Sequence, residues 1–257
     1  MRRIRIIVSY DGTAYVGWQV QPNGVSIQAL LEKALFELTG DHIRMEGSGR
    51  TDSGVHARAQ VAHFDTEARM AADKFAIAMN MHLPSDIRVL YSEECDPAFH
   101  ARFSAKQKEY RYTVNTAVHA DVFTRKTTLH LHRNLDVEAM KTAAAAVLGT
   151  HDFSAFKCAA SEMENTVRTI TRSDWTERDG YLVYTVAGNG FLYNMVRILV
   201  GTMLEIGEGK RPADDPQRAL ESGDRKAAGA TAPAHGLMLW RVVYPDFDTE
   251  EVLSRVK

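Results

Sequence analysis

The apolar residues of this chain change period in the same order twice, and that repetition limits what it can fold into more than any other feature. Arg3 to Tyr10 is rich in Ile and Val and reads as a strand ended by Asp11-Gly12. Ser26 can cap a helix with apolar residues at Ile27, Leu30, Leu31, Ala34, Leu35 and Leu38, stopped by Gly40. Ile43 to Gly47 and Arg58 to Asp65 read as strands around a glycine-bracketed loop. A helix from about Ala71 to Met81 and a strand from Ile87 to Cys95 complete a β-α-β-β-α-β order. The order then recurs. Lys108 to Asn115 is a strand, and Asp136 caps a helix that Gly149 stops. Val167 to Trp175 and Tyr181 to Val186 are strands joined by the hairpin turn Arg178-Asp179-Gly180. Phe191 to Ile206 is apolar nearly all round, as a buried helix is, Asp215-Pro216 opens a short helix, and Leu237 to Tyr244 is a last strand.

Two such units in succession predict an α+β fold of two ferredoxin-like (split βαβ) halves, with residues 1–104 as one domain and 105–257 as the other. Joined side by side they would form an extended, mostly antiparallel sheet, helices on one face and an open cleft on the other. RNA is often read on such an open sheet when it carries aromatic residues, although a fold by itself does not give a function. A chain of 257 residues can bury a real core. Its net charge of -2 gives no global attraction to a polyanion, so any such partner must be met by local basic patches. Cys95 and Cys158 make no CxxC pair and fit a reducing compartment. The apolar run after the basic start, Ile6-Ile7-Val8, is too short for a signal peptide, and no run approaches the roughly 20 residues of a membrane span. A cytoplasmic protein is expected.

The densest chemistry lies in Gly49-Arg50-Thr51-Asp52-Ser53-Gly54-Val55-His56-Ala57. Bracketing glycines permit positive φ and close approach by another molecule. Arg50 stands two residues from Asp52, and a nearby guanidinium favours the ionised carboxylate, which suits a nucleophile or an electrostatic group better than a general acid. The same residues also make an ordinary β-turn, with Asp52 bonded to its own backbone and Arg50 solvated; the stretch alone leaves both readings open.

Three other stretches carry candidates. Phe99 to Tyr112 sets Arg102, Lys106, Lys108 and Arg111 among aromatic residues, with Glu109 the one acid. Cations that neutralise phosphates and rings that stack on bases are what single-strand recognition needs, though an edge strand with solvated charges has the same composition. Alternation puts Tyr110 and Tyr112 on one strand face, so both could line a surface. In Gly188 to Arg197, Arg197 lies one helical turn after Tyr193. A charge on an apolar helix requires an anion, either a carboxylate such as Asp52 or a phosphate, unless another acid pairs with it or it snorkels to solvent. The loop Asp11 to Gln19 could touch a ligand, but Tyr15 and Trp18 suit the core equally well. Neither a phosphate-binding GxxxxGK[ST] loop nor a GxGxxG after a strand is present. His130 and His132 share a strand face but have no third ligand in view, so no metal site is expected. Asp52 and His56 have helical ligand spacing, but Gly54 between them argues against a helix.

Taken together, the aspartate loop, the Phe-His-Ala-Arg-Phe-Ser-Ala run ending in Tyr110-Arg111-Tyr112, and Asn189-Gly190-Phe191 with Met195-Val196-Arg197 closely resemble the tRNA pseudouridine synthase A family. Ser9-Tyr10-Asp11-Gly12-Thr13 with Gly17-Trp18-Gln19 matches as well, and the likeness runs in order from near Met1 to Tyr244. It implies an isomerase that converts uridine to pseudouridine at positions 38, 39 and 40 of the tRNA anticodon stem-loop, without cofactor or metal, as a homodimer touching one tRNA with both subunits. It places Asp52 where the family has its nucleophile and Tyr110 where a ring packs on the target base. Arg50 and Arg197 fall at the flanking basic positions. Arg102, Lys106, Lys108 and Arg111 remain candidates for the RNA backbone. Ser53 stands where many relatives have Ala, and Tyr193-Asn194 where some have His-His. A carboxylate glycosidase would need a second carboxyl flanking the bond, which this loop lacks. A non-catalytic RNA-binding module on the same sheet would bind tRNA and do nothing more.

Overall fold

The computed structural model describes residues 1–158 and 163–256, and these divide into two compact units. The first comprises Met1–Lys108 with Leu239–Lys257, the second Glu109–Met238. The sequence pattern puts everything from 105 onward in one domain; in the structure the last strand and the helix after it fall with the first unit. Periodicity identifies a strand but not the neighbour it pairs with.

In the first unit β1 (Arg2–Tyr10) lies between β4 (Ile87–Cys95) and β3 (His56–Thr66), antiparallel to both. A two-residue β2 (Glu46–Gly47) and β10 (Leu237–Val243) also pair with β3. The order β4-β1-β3-β2 is that of a split βαβ motif. Ile4 to Val8 of β1 are all buried, so the strand is covered on both faces. On the Arg5 face the cover is aromatic: the Arg5 guanidinium lies 5.2 Å from the Phe99 ring centroid and 4.0 Å from that of Phe247, while its charge pairs with Glu93 and Asp246. In α1 (Ile27–Thr39) Ser26 accepts from the Ala29 N–H, Ile27, Leu31, Ala34 and Leu35 are buried, and Gly40 ends the helix. A short helix α6 (Thr249–Arg255), capped by Asp248, packs against β3.

Two elements are shorter than periodicity predicts. Met45 leaves the strand ladder because the α1 side chains take its backbone: its N–H donates to Glu32 and its carbonyl accepts from Gln28. The helix predicted over 71–81 is α2 (Lys74–Asn80), closed where the Asn80 amide both donates to and accepts from the Val89 backbone of β4.

The second unit orders its strands β5 (Gln107–Asn115), β9 (Tyr181–Gly188), β8 (Val167–Arg178) and β7 (Gly149–Asp152), with a two-residue β6 (Leu129–His130) parallel to β5. Asp179 and Gly180, both at positive φ, close the β8–β9 hairpin as their residue types require. Helix α3 (Val137–Ala145) starts at the Asp136 cap. Helix α4 (Met195–Gly207) is buried on nearly every side, against residues that include Trp175 and Met140. It begins four residues later than predicted, because Asn194 is left-handed at φ 63 and interrupts the chain before the first helical turn. Helix α5 (Asp215–Ser222) opens with Pro216 in its first turn. Among the described residues no helix is long and apolar enough to cross a membrane. Each unit is thus a mostly antiparallel sheet with packed helices, an α+β fold as the element order implies.

Candidate active site

In the first unit the aspartate loop is held by backbone on both sides. The Trp18 N–H donates to the Thr51 carbonyl (3.1 Å), the Gly54 N–H to Tyr15 (3.3 Å), and the Val55 N–H closes a turn onto the Asp52 carbonyl (3.1 Å). The buried Tyr10 hydroxyl meets the Thr51 hydroxyl at 2.7 Å, and the Ser53 hydroxyl donates to Tyr15 at 3.2 Å. At the start of the loop Gln60, buried on β3, donates to the Gly49 carbonyl and accepts from Ser48, whose own carbonyl receives the Lys108 ammonium. The Asp52 side chain is left half-buried between these anchors.

The loop from Asp11 to Gln19 is what shapes this turn. Tyr15 and Trp18 are core, and Gly17, at φ +105, lies directly under the turn. A Cβ at that position would stand 2.5 Å from the Thr51 carbonyl oxygen and 3.1 Å from the Asp52 carbonyl carbon. The His56 ring accepts from the Gly12 N–H at 3.0 Å, fixing the other end of the loop to the same segment. Among the described residues no group of three or more His, Cys, Asp and Glu is placed to hold a metal ion. Arg50, two residues before Asp52, is exposed to solvent.

In the second unit Tyr110 is buried on β5, its ring edge-on to Phe191 with centroids 5.2 Å apart. Tyr112 does not share an open surface with it. Its ring is fully buried and its hydroxyl donates to the Pro233 carbonyl at 2.9 Å; burial pushes its pKa up against the opposing charge of Arg197. Arg197 stands in the first turn of α4, its Nε on the Ala232 carbonyl (2.8 Å) and one Nη on the Asn194 side chain (2.9 Å). Tyr193 precedes the helix and is half exposed, so the shared helical face inferred for it and Arg197 does not form.

The sequence profile of the tRNA pseudouridine synthase family matches residues 6–104 and 143–245. The chain belongs to this family. The relative called tRNA pseudouridine synthase A from Halalkalibacterium halodurans is 52% identical over 94% of this chain and 92% of its own length. The proteins of that name from Geobacillus and Bacillus subtilis are 49% and 50% identical over 95% and 94% of this chain, and 98% and 99% of their own lengths. A chain of the solved Cbf5-Nop10-Gar1 complex aligns with 80% of this chain and 55% of its own at a TM-score of 0.32 and 12% identity, too loosely to carry an argument. A pseudouridine synthase is an isomerase, since uridine and pseudouridine contain the same atoms differently joined.

The basic residues of this synthase divide by what already holds them. Arg102 and Lys106 are exposed, Arg102 lying 5.5 Å from the Phe103 ring centroid. Lys108 is turned onto the aspartate loop. Arg111 is paired at 2.8 Å with Glu109, a buried acid that also faces Arg172, so much of its charge is already answered. His130 and His132 are exposed and reach the carbonyls of Ala117 and Thr116. Sequence reading gave no role to Gln60 or Gly17. The available signal at Gln60 was an uncharged polar residue between the apolar Ala59 and Val61 of a strand, which must find partners when buried.

Proposed function

We propose that this chain converts uridine to pseudouridine at positions 38, 39 and 40 of the tRNA anticodon stem-loop, with Asp52 as the nucleophile. The observation that carries the reading is a half-buried carboxylate on a turn whose flanking residues are all bonded to the scaffold, in a chain of this family. A group held in that way meets a substrate without first paying the entropy of being ordered.

The reaction breaks the N1–C1′ bond, turns the uracil and joins C5 to C1′, while the proton on C5 is exchanged for one on N1. Atoms and electrons balance within the nucleoside, so the chemistry calls for no redox cofactor. Asp52 acts by bonding transiently to the base or to the sugar carbon. Tyr110, Arg50 and Arg197 are the substrate-binding residues, with the Tyr110 ring packing on the displaced base. Extracting a base costs a few kcal/mol, and stacking recovers roughly 1–3 kcal/mol of it. Exposed cations, Arg102 and Lys106 first, contact the RNA backbone, followed by Lys108 and Arg111. The working form is a cytoplasmic homodimer, to be checked by light scattering with and without tRNA.

The test is to map pseudouridine in unmodified tRNA before and after treatment with the purified protein. Conversion at 38–40 is expected. Untouched anticodon stem-loops, or conversion only elsewhere, would refute the reading.

A further inference from the structure

Most of the part-buried arginines of the first unit are answered by a carboxylate. Arg2 pairs with Glu94, Arg3 with Asp65, Arg5 with Glu93 and Asp246, and Arg241 with Asp248. Arg58 is different. One of its terminal nitrogens is sealed from solvent with no hydrogen-bond partner, and no described residue accepts from or pairs with the guanidinium. What the side chain has is a platform: its guanidinium carbon lies 4.6 Å from the Trp240 ring centroid.

Its position matters as much as its lack of an acid. Arg58 lies six residues beyond Asp52 and two before Gln60 on β3, so alternation gives it the face of Gln60, whose amide grips Gly49 and Ser48 at the start of the aspartate loop. Lys108 reaches the same loop start through the Ser48 carbonyl. A sealed guanidinium nitrogen without an acceptor is costly in a unit that pairs most of its part-buried arginines with acids, and the cost persists until an anion arrives. Stacking on an indole holds the planar group in place while leaving its edge to donate, which suits the tetrahedral oxygens of a phosphodiester.

We infer that Arg58, stacked on Trp240, is a subsite for a backbone phosphate of the RNA substrate. The inference rests on the tRNA reading above and deepens it: the phosphate is held from the same strand that carries the aspartate loop. Arg58 is a binding residue here, and the bond-making step does not pass through it.

The experiment measures tRNA affinity at several salt concentrations for the unsubstituted protein, Arg58→Met and Arg58→Lys, with melting temperature and single-turnover rate alongside. Arg58→Met should weaken binding about tenfold, the loss of one charge-assisted hydrogen bond. It should also flatten the plot of log affinity against log salt by roughly one, the release of one phosphate contact. The rate on saturating tRNA should hold. Arg58→Lys should keep most of the slope but less of the affinity, because an ammonium is a point charge without the stacked fork. An unchanged slope in Arg58→Met, with or without a fall in melting temperature, would make the arginine a structural partner of Trp240 and overturn the proposal. So would a lost rate at unchanged affinity. The binding arm does not require turnover: if the unsubstituted protein binds tRNA without making pseudouridine, the functional reading fails while Arg58 is still judged. If it binds no tRNA, both fall.

Discussion

Gly17→Ala tests the idea that the Asp11–Gln19 loop exists to shape the aspartate turn. Two costs are expected, and the structure separates them. The first is conformational: Gly17 sits at φ +105, where an L side chain costs about 1–2 kcal/mol. Gly40, at φ +77 beyond the end of α1, carries a similar cost with nothing within 4 Å of an added Cβ. The second is steric and belongs to Gly17 alone, where the new Cβ would stand 2.5 Å from the Thr51 carbonyl oxygen, roughly 0.9 Å short of ordinary contact. Both contacting groups are backbone, so the turn must move by most of that distance and take Asp52 with it. A displacement of about 1 Å at reacting groups costs on the order of 100-fold in rate. Urea unfolding and single-turnover pseudouridine formation should therefore diverge. Both variants should lose stability, Gly17→Ala more than Gly40→Ala because of its added clash; Gly40→Ala should keep its rate, and Gly17→Ala should fall about 100-fold while still binding tRNA. Equal rates in the two folded variants would refute the reasoning.

Other expectations follow from single side chains. Tyr110→Phe should keep much of the stacking and of the rate, while Tyr110→Ala should lose roughly 1–3 kcal/mol of substrate binding; near-equal activity in the two would remove the stacking role. Tyr112→Phe should instead lower stability by about 1–2 kcal/mol, through the unsatisfied Pro233 carbonyl, and leave tRNA affinity unchanged; weaker tRNA binding by the folded variant would contradict its core assignment. His63 is held neutral by burial and then by the charge of Arg3, with its pKa lowered to about 4. The unfolded chain binds this proton from about pH 6.5 downward, so the His63 contribution is complete above that pH and is lost as pH falls toward 4. Urea unfolding across this window should show a decline on the order of 1–3 kcal/mol that His63→Gln flattens; parallel profiles would place the loss elsewhere.

What could be read from the sequence was whatever is decided locally. The Ser26 and Gly40 caps, the Asp179-Gly180 hairpin and the all-round apolar character of α4 are statements about residues close in the chain, and all are found, although α4 starts late. The repeated element order was legible for the same reason. Contacts between distant segments were not. Gly17 serves residues 34 to 36 positions further on, and nothing in its own stretch says so. Tyr112 shares a strand face with Tyr110, but its burial depends on Pro233 and Gly236. The late start of α4 turns on the conformation of one residue, Asn194. Some signals were present and unread: Arg111 and Glu109 are two apart on a strand, hence on one face, and Asp248 ahead of Thr249 and two glutamates marks the start of α6.

The central claim is that the Asp52 carboxylate makes a transient bond to the uridine. It is tested most directly by Asp52→Asn, which keeps the shape of the side chain and removes its nucleophilicity. Pseudouridine at positions 38–40 and tRNA affinity should be measured on the same preparation. The account predicts affinity close to that of the unsubstituted protein with no pseudouridine formed. Conversion by Asp52→Asn at a rate near the unsubstituted protein's, with the substitution verified by mass, would contradict it.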